Sequence, residues 1–182
     1  EMIFNNYFLK RDESVSNFNL TYFNNDIQYG SKYIIKRILD ISLSVFGLLF
    51  FSPILLGIYT YIRFIDGNPS IIKQNRVGLH GKQFKMYKFR TMKNNAHELR
   101  DNLQELNKND DVIFKIENDP RLLKGTLQLR NWSLDELPQL INVLLGNMSI
   151  VGPRPLFEED TKLFSEKYMR RLNVLPGITG LL

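Results

Sequence analysis

The longest uninterrupted feature of the chain is apolar. From Ile41 to Ile62 (ISLSVFGLLFFSPILLGIYTYI) there is no charged residue, and a helix of about 20 apolar residues can span the hydrocarbon core of a bilayer. The competing reading is a core helix, which a chain of 182 residues could hardly surround. A secretory signal does not fit, because the run begins only at Ile41 and no small-residue cleavage site follows it.

Two details bend this picture. Ser52-Pro53 lies in the middle of the run, where proline removes a helix hydrogen bond and clashes with the preceding turn. Such a break survives at membrane depth when a side chain such as serine re-satisfies the freed backbone. Basic residues stand on both flanks, Lys32, Lys36 and Arg37 on one and Arg63, Lys73 and Arg76 on the other. Basic flanks favour the cytoplasmic side. Both ends therefore prefer the same side, and the pattern predicts a re-entrant helix over residues 31–66, bent at Ser52-Pro53, rather than a straight span.

Elsewhere the periodicity is shorter. Residues 1–30 are polar and aromatic with no sustained period, and read as a leader or linker. Turn residues at Gly67-Asn68-Pro69 and His80-Gly81 bracket a stretch whose end, Phe84–Phe89, reads as extended. Ala96, Leu99, Leu103 and Leu106 share one face of a predicted amphipathic helix. Further helices are expected over about Leu122–Arg130 and Leu137–Leu145. A last one, Glu158–Asn173, carries a stripe of Thr161, Phe164, Tyr168 and Leu172 and stops before Pro176-Gly177. No repeat appears. The fold class is an α-rich α/β (α+β) arrangement, with residues 67–182 as one small domain behind the re-entrant helix.

Composition narrows the chemistry. There is no cysteine, so disulfides and thiolate metal sites are excluded, and His80 and His97 are too few for a histidine zinc site. A net charge of +5 and a pI near 9.4 point to polyanionic partners: nucleic acid, acidic lipid or phosphorylated substrates.

The richest stretch is RNWSLDELPQLINVL, Arg130–Leu144. Ser133-x-x-Glu136 matches a capping box, the ordinary start of a helix. Pro138 favours Asp135 as the cap instead, since proline then falls at the third helical position, where its missing N–H costs nothing. Either way, Asp135 and Glu136 open a helix. The helix dipole favours negative charge there by roughly 0.3–1 kcal/mol, and the free N–H groups can cradle phosphate. An ionised aspartate can attack phosphorus, and a neighbouring glutamate can hold Mg²⁺ together with substrate phosphates. In Gly152-Pro153-Arg154-Pro155 two prolines stiffen the backbone around a guanidinium suited to bidentate phosphate contact, although a rigid turn with a solvated arginine explains the pattern equally well. Lys85, Lys88, Arg90 and Arg121 form a basic, aromatic-interleaved set for nucleotide diphosphate, lipid head groups or nucleic acid.

Taken together, the residues resemble a known family, the bacterial sugar transferases or monotopic phosphoglycosyl transferases. The resemblance is carried by KRILDI (Lys36–Ile41), the apolar run with Ser52-Pro53, KQNRVGLHGKQFKMYKFRTM (Lys73–Met92), NDPR (Asn118–Arg121), SLDELPQLINVLLGNMSIVGPRP (Ser133–Pro155) and LPGITG (Leu175–Gly180). It implies an enzyme of the bacterial inner membrane, facing the cytoplasm, that starts capsule, O-antigen, exopolysaccharide or glycoprotein glycan assembly. By the same resemblance Asp135 attacks the β-phosphate of a UDP-sugar, expels UMP and holds a phosphosugar, which polyprenyl phosphate then removes. Glu136 is implied as the Mg²⁺ ligand, Arg154 as a phosphate-binding residue, and Ser52-Pro53 as the break in the membrane helix. Lys88, Arg90 and Arg121 join Arg154 as expected substrate or phosphate contacts. Expected partners are the UDP-sugar, undecaprenyl phosphate and membrane lipids, with downstream glycosyltransferases or a homo-oligomer beyond these, and no nucleic acid.

The chain departs from the family pattern at Asn68–Ile72 and after NDPR, in LLKGTLQLR. Members continue past GITG with an aromatic, a glutamine and a Gly-Arg pair, so residues beyond Leu182 are expected. The alternative reading is a non-catalytic, membrane-anchored basic module for anionic lipid or a partner enzyme. Tethered nucleic-acid binding accounts for the charge but not for the acidic helix start or the Ser-Pro break.

Overall fold

The structure is a computed structural model that describes residues 31–93, 121–158 and 170–180. Helix α1 (Ser31–Phe50) and helix α2 (Ser52–Asp66) meet at Phe51. By length and composition no single helix among the described residues is long and apolar enough to cross a membrane. Taken together α1 and α2 are, and they bend by 61°.

The bend has a local cause. An α-helix would pair the N–H of residue 53 with the carbonyl of Leu49, and Pro53 has no N–H. Ser52 Oγ donates to the Leu49 carbonyl instead, at 2.7 Å. The neighbouring bonds, Phe51 N–H to Gly47 and Leu55 N–H to Phe51, are kept at 2.9 and 2.8 Å. The break is therefore a turn with its polar groups satisfied, which a proline alone does not provide.

The burial pattern of this pair is inverted. On α1 the buried side chains are Asp40 and Ser44, while Phe46, Leu49 and Phe50 are 65%, 71% and 64% exposed. On α2 only Ile58 and Ile62 are buried, inside a cluster with Phe89 and Leu123.

After α2, strands β1 (Ile71–Val77) and β2 (Gln83–Phe89) pair antiparallel, from Ile71 with Phe89 to Val77 with Gln83. The predicted extended stretch is thus the second arm of a hairpin whose first arm has no marked alternation in sequence. His80 and Gly81 turn the chain with left-handed φ angles of 53° and 75°. Short helices α3 (Leu127–Asn131) and α4 (Gln139–Leu144) follow. Strand β3 (Ser149–Val151) then pairs in parallel with β4 (Gly177–Thr179). Met86, Val143 and Met148 form a second core cluster between the hairpin, α4 and β3.

Three expectations are corrected here. The helix expected over Leu122–Arg130 is only Leu127–Asn131: Leu122 bridges to Met92, Leu123 is buried in the core, and Gly125 turns at φ 74°. The last four residues of the expected Glu158–Asn173 helix form a 3-10 turn, Arg170–Asn173, and its middle lies outside the described residues. So do the Ala96–Leu106 helix and residues 1–30. The helix expected over Leu137–Leu145 is present as α4.

Candidate active site

The segment before α4 does not start a helix in either way the sequence suggests. Ser133 adopts a left-handed backbone, φ 55°, and makes no side-chain cap. Leu134–Glu136 form a 3-10 turn, and α4 begins only at Gln139, directly after Pro138. The N–H groups of Glu136 and Leu137 bond back to Ser133 and Leu134, at 3.1 and 3.3 Å, and those of Leu140 and Ile141 to Leu137 and Pro138. These four amides are bonded within the turn.

A lysine from the hairpin reaches the Asp135 carboxylate. Asp135 is 3% exposed, and its Oδ2 lies 3.0 Å from Lys88 Nζ. Two carboxylate oxygens remain on Glu136, which is half-buried and makes no ion pair among the described residues. A buried carboxylate beside an ammonium, with an open carboxylate next along the chain, can attack an electrophile and can help hold a divalent cation.

Lys88 reaches Asp135 because α4 grips its strand. Asn142 is fully buried, accepts from the Tyr87 N–H at 2.9 Å and donates to the Lys85 carbonyl at 2.8 Å. One amide side chain thereby acts as a missing strand partner for β2. It fixes Lys88 one residue beyond Tyr87, while α4 itself follows Asp135 by only a few residues. Asn142 was not singled out in the sequence, where it looks like a helical asparagine among apolar neighbours.

The other arm of the hairpin holds the Gly152–Pro155 loop. Val77 pairs with Leu156, the Arg76 guanidinium lies 3.2 Å from the centre of the Phe157 ring, and Arg76 Nη1 reaches the Pro155 carbonyl at 3.4 Å. From the other side Gly177 N–H bonds to the Pro153 carbonyl at 2.9 Å. A Cβ on Gly152 would collide with the Leu175 carbonyl, and one on Gly177 with the Gly152 amide nitrogen, so only glycines allow these two segments to touch. Arg154 is left exposed on this clamped loop, its carbonyl accepting from Arg171 Nη2 at 3.0 Å. Among the described residues its side chain makes no hydrogen bond or ion pair with Asp135 or Glu136, and the hairpin is the frame common to both.

The remaining predicted residues lie elsewhere. Arg90 is 3% exposed, pairs with Asp66 at 2.9 Å and donates to the Asp66 and Gly67 carbonyls, each at 3.0 Å. It ties the end of α2 to the sheet, which leaves it little freedom for a ligand. Arg121 is also buried and already partnered inside the domain. Ser52 and Pro53 sit at the bend between α1 and α2. The motif KRILDI contains a residue the sequence left without a role: Asp40 accepts from Lys36 at 2.9 Å, from Ser149 Oγ at 2.8 Å and from the Ile150 N–H at 3.1 Å, and Lys36 also contacts Ser149. A lone aspartate in an apolar helix was the signal, and its partner strand was not foreseeable.

Comparison with known proteins bears on this arrangement. The family model for bacterial sugar transferases matches residues 31–182. The chain is 38% identical over 178 residues to the galactosyl transferase CpsE of Streptococcus agalactiae serotype III, covering 98% of this chain and 39% of that protein. It is 40% identical over 164 residues to the undecaprenyl-phosphate galactose phosphotransferase of Salmonella typhimurium, covering 86% and 34%. Over 155 residues it is 43% identical to the UDP-glucose:undecaprenyl-phosphate glucose-1-phosphate transferase of Escherichia coli, covering 83% and 31%. The chain thus spans less than two fifths of the length of these three relatives. With a family match over residues 31–182 and relatives 38–43% identical over most of its length, the chain belongs to the bacterial sugar transferase family.

Proposed function

We propose that this chain transfers a sugar 1-phosphate from a UDP-sugar to undecaprenyl phosphate, releasing UMP, as the first membrane step of a surface polysaccharide or glycoprotein glycan. The observation that carries this is the buried Lys88–Asp135 pair beside the open carboxylate of Glu136. The activities for which the Salmonella and Escherichia relatives are named support the acceptor and the transferred group.

Asp135 is the nucleophile in this scheme. One of its oxygens bonds to the β-phosphorus of the donor as the bond from that phosphorus to the bridging oxygen breaks, and UMP leaves with the electron pair. An oxygen of undecaprenyl phosphate then bonds to the same phosphorus, and the Asp135 carboxylate is released unchanged. Lys88 holds the carboxylate in one orientation and offsets the charge of the incoming diphosphate. Arg154 binds phosphate at the edge of the site through its fork of donors.

Mg²⁺ fits this donor set. Such ions bind through one or two carboxylates plus substrate phosphates, and Glu136 beside Asp135 offers that number. Among the described residues no group of three or more potential ligands is assembled, so the ion would come with the diphosphate, whose charge it would neutralise. The inverted burial of α1 and the polar-satisfied bend at Ser52 support a re-entrant seat in the inner membrane, with the domain on the cytoplasmic side.

The test is UMP release by the detergent-solubilised protein with a panel of UDP-sugars, undecaprenyl phosphate and Mg²⁺. Release with one donor, lost on chelation and reduced on the order of 10⁴-fold or more in Asp135→Asn, is the expected result. Undiminished turnover in Asp135→Asn would remove the nucleophile from the scheme. Lipid binding without any turnover, indifferent to Asp135, would favour a non-catalytic anchor module.

A further inference from the structure

The two halves of the candidate site hang on one face of the hairpin. Side chains alternate along a strand, so Ile72, Gln74 and Arg76 of β1 share a face with their partners Lys88, Met86 and Phe84 of β2. This is the inner face: Met86 is buried with Val143 and Met148, while Lys73, Asn75 and Lys85 on the other face are exposed. At one end of it Lys88 holds Asp135, and at the other Arg76 reaches the Pro155 carbonyl, next to Arg154. From Ile72, the partner of Lys88, to Arg76 the strand runs about 13 Å. Between the two ends this face carries one polar side chain, Gln74.

Gln74 is half-buried, and its Oε1 accepts from Arg76 Nη2 at 3.3 Å. A guanidinium has donors only, so the amide is fixed with its oxygen towards Arg76 and its NH₂ group turned the other way. That nitrogen makes no hydrogen bond among the described residues. Lys88 is the diagonal cross-strand neighbour of Gln74, a spacing that long side chains bridge. Gln74 is thus an amide already oriented by one neighbour, with both donors to spare, beside the lysine that holds Asp135.

The donor of the proposed reaction has to pass this point. Its β-phosphorus must lie at Asp135, and Arg154 offers a phosphate contact from the other end of the same face. We propose that Gln74 binds the diphosphate of the donor, its Nε2 donating to a phosphate oxygen between Asp135 and Arg154. A neutral donor suits the place, because it holds a phosphate oxygen without competing with Lys88 for the Asp135 carboxylate. The assignment rests on the transfer reaction proposed above and adds a residue to its donor site.

The experiment titrates the detergent-solubilised full chain with UDP and Mg²⁺ by calorimetry, and scores UMP release on the same samples. Gln74→Glu keeps an oxygen for Arg76 and removes the donor; Gln74→Met keeps the length and removes both. A glutamine that only braces Arg76 predicts loss in Gln74→Met alone, since a carboxylate accepts from a guanidinium at least as well. Charge repulsion by itself predicts loss in Gln74→Glu alone. A donated hydrogen bond predicts UDP affinity weaker by about tenfold or more in both variants, with the melting temperature of Gln74→Glu at or above that of the wild type. Asn75→Ala, on the opposite face, should bind UDP as the wild type does. Wild-type affinity in either Gln74 variant, or an equal loss in Asn75→Ala, would overturn the assignment. Binding that follows these expectations without UMP release from the wild type would sink the transfer reading and keep Gln74 as a nucleotide contact. A wild type that binds no UDP would overturn both.

Discussion

The α1–α2 pair and the hairpin unit behind it solve burial in opposite senses. In the hairpin unit apolar groups go inside: Phe89, Val143 and Met148 are buried at 1% exposure or less, and the polar groups that join them, Asn142 and Asp135, are paired. On α1 the inside is polar, Asp40 and Ser44, and the outside is phenylalanine and leucine. Exposing that much apolar surface to water is unfavourable by about 25 cal/mol per Å². The membrane seat proposed above accounts for the contrast, and Asp40, through its bonds to Ser149 and Ile150, joins the two regions.

Substitutions can break this contrast. The largest structural effect is expected from Lys88→Met, which leaves Asp135 charged, buried and unpaired. The cost is about 3–5 kcal/mol, measured as lowered thermal stability in detergent, and it should largely be relieved in the double variant with Asp135→Asn. If Lys88→Met is neutral, the pair is not the buried centre described here. Next comes Phe46→Asp. At an exposed position of a water-facing helix such a change stays within about 0.5 kcal/mol, whereas in the hydrocarbon core an aspartate costs about 2.5–3.5 kcal/mol. Loss of the protein from the membrane pellet is the expected outcome, and unaltered pelleting would place α1 in water.

A finer test concerns the bend. Ser52→Ala removes the donor that replaces the missing proline N–H and should cost about 1 kcal/mol, seen as faster hydrogen exchange across Phe51 and Leu55; equal exchange would mean the Leu49 carbonyl needs no partner. The smallest effect belongs to the hairpin unit. Burial, aided by the charge of Lys82, pushes the His80 imidazole below its ordinary value of 6.5. The unfolded chain therefore takes up that proton first, so the stabilising contribution is complete above about pH 6.5 and is lost as pH falls through the lower folded value. His80→Asn, which tolerates the left-handed backbone, should flatten the fall in melting temperature on acidification. A slope identical to wild type would assign the acid sensitivity to other groups.

What could be read from the sequence was whatever depends on neighbours along the chain. The length and charge-free character of Ile41–Ile62, the proline break and the basic flanks are local, and the bent pair has the expected bounds. The family motifs, Asp135-Glu136 included, are also contiguous, which is why they were legible and why the family match followed them. The capping argument failed for the same reason. It weighed Ser133 and Asp135 as local caps, when a left-handed Ser133 and a 3-10 turn present Asp135 to a lysine some fifty residues earlier in the chain. Tertiary structure alone decided that Lys88 rather than a helix start holds the carboxylate, and that Asn142 sets its register. It likewise spent Arg90 on Asp66 and gave the lone Asp40 a strand to hold. Each of these is a contact between residues far apart in sequence, set by where close packing leaves a buried charge its nearest opposite. A one-dimensional pattern carries the residue types for such contacts but not their pairing.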